Sequence, residues 1–272
     1  MRLTLHQWAQ SFPTMNSIIS KILNFARTVA VLAFWVLVWH LIAVKVDLAV
    51  VVPSPAEVIG RLIELAGESE FYLIVYKTVT RILSGFFIAV GAGTVLGIMT
   101  AKIKLLDDLL SPLLSVVKAT PVASFIILTL FWLNKEDIPS FISFLMVLPI
   151  IHGNVSEGLK NTPKELIEMT RVFNISPWRR LTRVYLPSVI PYFTAGFKTS
   201  LGLAWKAGVA AEVLAFPKFS IGTEVYNAKN MLEMSDVFAW TLTVILISIV
   251  LEKLLMLIFK LLTRKRRGAR AV

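Results

Sequence analysis

The segment Glu168-Met169-Thr170-Arg171-Val172-Phe173-Asn174, followed ten residues later by Val184-Tyr185-Leu186-Pro187, is polar and basic and lies between long apolar runs. Its residue types suit mechanical work rather than bond-making. Thr162-Pro163-Lys164-Glu165 predicts a helix start, with Thr162 as N-cap, proline at the first helical position and a capping box closed by Glu165. Leu166, Met169 or Thr170, and Phe173 then share one helical face. Asn174 is a residue type that ends a helix in the left-handed conformation. Ser176-Pro177 restarts a helix with Trp178, Leu181 and Tyr185 on its apolar side. A bent pair of amphipathic helices between membrane spans is shaped to receive a push from a soluble partner.

Bond-making machinery is absent from the sequence. There is no Gly-x-x-x-x-Gly-Lys-[Ser/Thr] loop to cradle a nucleotide, no His-Glu-x-x-His and no nucleophile beside a base. His6, His40 and His152 stand far apart and read as interfacial or packing residues, and the chain has no cysteine. No metal site is expected, Asp107 and Asp108 reading as a solvated turn. The energy for any transport must therefore come from another chain. Lys198, Lys206 and Glu212 are ionisable groups in a run that is otherwise apolar. Charges at membrane depth face a cavity or a partner. With Trp205 they are the candidates for lining a solute path. The competing reading pairs Lys206 with Glu212, or lets Lys206 snorkel outward, and pairs Lys198 with a neighbouring helix.

These residues need elements to hold them. Of 272 residues, 56% are hydrophobic, and the mean hydropathy is +0.74. The apolar residues come in runs long enough to cross a bilayer. Six spans are expected, near residues 28–44, 79–101, 109–133, 138–155, 188–211 and 237–257, giving an all-α integral membrane protein. A cytoplasmic or interfacial lead-in, 1–27, precedes the membrane domain, 28–262, and a basic tail, 263–272, follows it. The lead-in (Trp8, Phe12, Ile18, Ile19, Ile22) reads as surface-lying rather than as a cleaved signal peptide.

With the N-terminus inside, cytoplasmic segments hold seventeen of the 28 lysines and arginines and outer segments seven. This bias puts both termini and the loop 157–187 in the cytoplasm of a multi-pass cell-membrane protein. The net charge of +11 follows this topology, and the tail from Thr263 to Arg267 reads as an anchor to anionic lipid, not a nucleic-acid site. Ala89, Gly93, Gly97 and Ala101 recur at intervals of four, which lets another helix approach closely.

At this point the chain resembles the membrane subunits of ATP-binding-cassette (ABC) importers, the type I permeases of binding-protein-dependent uptake. Their cytoplasmic signature is Glu-Ala-Ala, three residues, Gly, nine residues, Ile, one residue, Leu-Pro. Glu168, Met169 and Thr170 stand at the Glu-Ala-Ala positions, Asn174 at the glycine and Val184 at the isoleucine, while Leu186 and Pro187 match outright. Val52-Pro53-Ser54-Pro55, Thr80-Arg81-Ile82-Leu83-Ser84-Gly85-Phe86, Thr120-Pro121 and Gly202-Leu203-Ala204-Trp205 are similar to the branch that imports nitrate, taurine and aliphatic sulfonates. Lys206 departs from the apolar residue expected after that tryptophan.

The resemblance implies a non-catalytic permease, paired as a homodimer with one central path. It implies a cytoplasmic ATPase dimer, carrying the ATP and Mg, whose groove accepts the helix around Glu168–Phe173. Leu166, Met169 and Phe173 would fill that groove, and Glu168 and Arg171 would orient the helix at its rim. An extracytoplasmic binding protein would deliver the solute.

Overall fold

In the computed structural model, residues 13–46, 48 and 51–268 are described. Trp8 and Phe12 of the lead-in and the last four residues lie outside them. Helices run in the order α1 (Pro13–Val46), α2 (Pro55–Gly67), α3 (Ser69–Lys102), α4 (Lys104–Ala119), α5 (Val122–Thr129) and α6 (Ile138–Lys160). The remainder are α7 (Lys164–Val172), α8 (Pro177–Arg180), a π-helical turn at Leu181–Tyr185, α9 (Leu186–Ala215), α10 (Ile221–Asn230) and α11 (Met234–Gly268). No strand occurs among the described residues.

Four helical stretches are long and apolar enough to span a membrane: Leu23–Val46, Ser69–Lys102, Ile138–Lys160 and Met234–Ile258. A fifth candidate is the pair α4 and α5, which is bent by 101°. The break falls where the sequence placed one continuous span. Proline disfavours the helical conformation in the residue before it, and Thr120 accordingly takes φ −79°, ψ 132° ahead of Pro121. The remaining expected span, the fifth in chain order, is α9, an unbroken helix of 30 residues. It falls outside the apolar set because prolines, hydroxyls, Lys198, Lys206 and Glu212 interrupt its run. α11 runs on without a break through Arg264–Arg267 to Gly268.

α6 is the central post, with α3 on one side and α9 on the other. Its contact with α3 depends on the small-residue stripe. A Cβ at Gly93 would lie 3.0 Å from both the Leu148 carbonyl oxygen and the Ile151 side chain, and one at Gly97 would lie 2.8 Å from the His152 carbonyl oxygen. Gly85 extends the stripe one turn beyond the expected residues and is the tightest point, its Cβ position falling 1.9 Å from the Ser140 carbonyl oxygen. Gly85→Ala should therefore force two backbones apart. Overpacking typically costs about 1–3 kcal/mol, and the top of that range is expected here. A thermal unfolding scan of the detergent-solubilised protein checks it; an unchanged midpoint would refute the close approach.

Around the post, Ile82 and Phe86 of α3, Val147 and Ile151 of α6, and Phe197 and Leu201 of α9 form the main core. A second cluster joins Ile126 of α5, Ile142 and Met146 of α6, and Ala207 and Ala211 of α9. A third fastens α2, α10 and α11 through Val58, Ile221 and Trp240. Ser54 begins α2 with a complete capping box: its hydroxyl accepts from the Glu57 amide, and the Glu57 carboxylate accepts from the Ser54 amide at 2.7 Å.

Arg61 of α2 forks onto both oxygens of Asp236 at 2.6 and 3.0 Å, clamping α2 to the start of α11. These hydrogen bonds, chiefly that to Asp236 and then that to Glu64, hold the guanidinium above its ordinary pKa. Nearby, Glu224 of α10 is pushed up by burial first and then by the charges of Glu70 and Asp236.

Candidate functional site

The helix pair between α6 and α9 forms with one change at its start. α7 begins at Lys164, and no side chain caps it. The expected capping box does not form, because Thr162 is buried and its hydroxyl donates back to the Gly158 carbonyl at 3.2 Å, finishing α6 instead. α7 ends as expected. Asn174 adopts φ 48°, its amide donates to the Arg171 carbonyl at 3.1 Å, and the Ile175 amide donates to the Thr170 carbonyl at 2.9 Å.

The faces of α7 are sharply different. Thr170 is fully buried, and its hydroxyl donates to the Ile167 carbonyl at 2.6 Å, so it belongs to the inward side and not to the exposed apolar face. Leu166, Met169 and Phe173 point away from the protein, as do Glu168 and Arg171. Val172, which lies off the expected apolar face, is 76% exposed and Phe173 is 72% exposed. Trp178 of α8 is also exposed. Large apolar side chains left open beside charged ones mark a surface made for a partner.

Asn174→Val should strain the turn that presents this surface. A branched residue in the left-handed region costs roughly 1–2 kcal/mol, whereas Asn174→Gly is expected to be neutral. Limited proteolysis of the 163–187 loop distinguishes them, and equal resistance in both variants would remove the role assigned to the turn.

Behind α7 the chain leads directly into a span. α8 passes into the π-helical turn, where the Leu186 amide donates to Leu181 five residues back. Pro187 explains the widening. It has no amide to donate to the Arg183 carbonyl, so the regular ladder cannot close there. The Ser188 hydroxyl donates to the Val184 carbonyl at 2.9 Å and holds the next turn. An apolar cavity of about 610 Å³ lies at this junction, lined by Ile98, Val155, Ile167, Leu181, Tyr185 and Val189 among others. It leaves room between α7, the π turn and the ends of α3 and α6. Lys160 donates to Asp107 at 2.7 Å across the same end of the bundle, so Asp107 sits within α4 and not in a solvated turn. His152 is buried and paired, its Nε2 lying 2.9 Å from the Thr100 hydroxyl.

The four candidate path residues on α9 are dispersed around the helix. Trp205 is buried, and its indole N–H donates to the Val244 carbonyl of α11 at 3.1 Å. Glu212 is fully buried. One of its oxygens accepts from the Thr78 hydroxyl at 3.0 Å and from the Gly222 amide at 3.2 Å, and the other lies 3.8 Å from Arg81. Arg81 in turn binds Glu136 and the carbonyls of Lys218 and Phe219. Lys206 has no part in this network, so its expected pairing with Glu212 does not occur. Lys198 reaches Glu252 of α11 at 3.5 Å. Lys198 and Lys206 are both exposed, and Lys206 lies in line with Leu203, Ala210 and Leu214.

The chain is 26% identical to a putative ABC transporter permease of Methanocaldococcus jannaschii, over 81% of this chain and 85% of that protein. It is 26% identical to a nitrate import permease of Synechocystis, over 66% of this chain and 65% of that protein. It is 25% identical to a putative aliphatic sulfonates transport permease of Bacillus subtilis, over 86% of this chain and 83% of that protein. Residues 93–268 match the family described as the binding-protein-dependent transport system inner membrane component. The chain therefore belongs to that family: it is a type I ABC importer permease, of the branch that includes the nitrate and sulfonate permeases.

Proposed function

We propose that this chain forms, as a homodimer, the translocation path for a small anionic solute such as nitrate or a sulfonate, and that a separate cytoplasmic ATPase dimer drives it through α7. The observation that carries this reading is the exposed apolar surface of Leu166, Met169, Val172 and Phe173, tied through Asn174 and the π turn to α9. Glu168 and Arg171 set its orientation at the rim of the ATPase groove, and Pro187 is where the movement enters the span. ATP and Mg reside on the ATPase, and a binding protein outside delivers the solute. Both termini and α7 lie in the cytoplasm, in keeping with the distribution of basic residues. The named substrates of the relatives and the open cation Lys206 on α9 favour an anion.

The test is reconstitution of the permease with its ATPase and binding protein in proteoliposomes. Uptake of nitrate or ethanesulfonate should require ATP inside and binding protein outside. Uptake driven by an ion gradient, with no ATPase present, would make the protein a secondary carrier and end this reading.

A further inference from the structure

Two lysines inside the bundle's apolar helices are open, and they border the same packing cluster. Lys118 of α4 and Lys206 of α9 are both exposed on the protein surface, and neither has a hydrogen-bond or ion-pair partner among the described residues. Lys160, Lys198 and Arg81, by contrast, are engaged, with Asp107, Glu252 and Glu136 respectively.

The depth of the two follows from helix geometry. α4 and α9 both start at the α7 end, α4 through the Asp107–Lys160 pair and α9 at the wall of the cavity. Lys118 lies roughly 21 Å along α4 from Lys104, and Lys206 roughly 30 Å along α9 from Leu186, at 1.5 Å per residue. Val117, just before Lys118, packs on the cluster that contains Ala207, just after Lys206. Two residues beyond Lys118 the helix breaks at Thr120-Pro121, and no side chain caps the start of α5. The break turns the chain at membrane depth instead of carrying it straight through.

An ammonium group at such depth is costly unless it faces water or a counter-charge. Two of them set in succession along a path raise the local concentration of anions and repel cations, while neither alone holds the ion so tightly that it cannot leave. We propose that Lys118 and Lys206 form a two-step anion-selecting passage in the membrane, with Lys118 a specificity-determining residue and α4 a wall of the path. The inference rests on the reading of this chain as an anion importer, and it adds the residues that make it one.

The chain has no cysteine, so single cysteines can be labelled cleanly. The complex with its ATPase and binding protein is reconstituted, and ATP-driven uptake of nitrate and ethanesulfonate is measured. Lys118→Met and Lys206→Met should each lower uptake about tenfold or more, while Lys→Arg at either position retains it. Lys118→Cys and Lys206→Cys, labelled after folding, should regain uptake with an aminoethyl methanethiosulfonate and not with the sulfonatoethyl reagent. Unchanged uptake in both Met variants, or equal recovery with both reagents, would overturn the proposal and leave the importer reading standing. A wild-type complex that takes up a neutral solute under ATP, but neither anion, would overturn both.

Discussion

Phe173→Asp is expected to separate the permease from its ATPase without unfolding it. The side chain is 72% exposed and adjoins Val172 at 76%, so a carboxylate there disturbs nothing inside the protein. In a groove it would be a buried, unpaired charge. Anchor residues at the centre of an interface are worth about 2 kcal/mol or more, roughly a thirtyfold loss of affinity. Co-purification of the ATPase and ATP-driven uptake should both fall by that order, with the unfolding midpoint unchanged. Glu168→Arg should do the same by reversing the charge at the rim. If either variant kept full uptake, α7 would not be the point where force enters.

The second large effect is expected at the opposite end of the bundle. Arg81→Met should destabilise the fold far more than Glu212→Gln. Arg81 is the cation that faces the fully buried Glu212 carboxylate, at 3.8 Å, and it also ties down Glu136 and two carbonyls. Removing it takes the neighbouring cation from a buried carboxyl and leaves the Lys218 and Phe219 carbonyls without its hydrogen bonds, a loss of roughly 1–3 kcal/mol. Glu212→Gln keeps an oxygen for the Thr78 hydroxyl and the Gly222 amide and leaves Arg81 bound to Glu136 and to the Lys218 and Phe219 carbonyls. Its cost should be small. The two unfolding midpoints, measured side by side, decide the matter; equal losses would mean that Glu212 and not the pair is what matters.

The contrast between Glu212 and Lys206 explains what could be read in the residues beforehand and what could not. Local signals carried far: Asn174 does take the left-handed conformation, and Gly93 and Gly97 do admit α6. The spacing from Glu168 to Pro187 identified the family that residues 93–268 match. Partners distant in sequence were not legible. Thr78 lies 134 positions from Glu212, and no local pattern links them. Opposite charge suggested Lys206 as a mate for Glu212, but six residues along a helix put the two on different sides, one exposed and one buried. Thr162 was misread for a similar reason. Its type fits an N-cap, but α6 reaches it first and takes its hydroxyl. Val172 was passed over because it falls off the face drawn through Leu166 and Phe173. A helix two turns long that stands clear of the protein exposes more than one stripe.

The widened turn at Leu181–Tyr185 has a consequence for how the protruding knob is aimed. It accommodates one residue more than a regular turn, so the azimuth of everything before it differs from what an uninterrupted helix would give. Closing that turn to a regular one with every residue kept would rotate α8, and the loop before it, by roughly 100° about the axis of α9 and shift it by about 1.5 Å. Excising one residue would instead let the turn close with the azimuth nearly kept. The spare residue is thus a clocking device. On the proposed reading, matching between this chain and its ATPase would be set by the form of one turn as much as by the side chains at the contact.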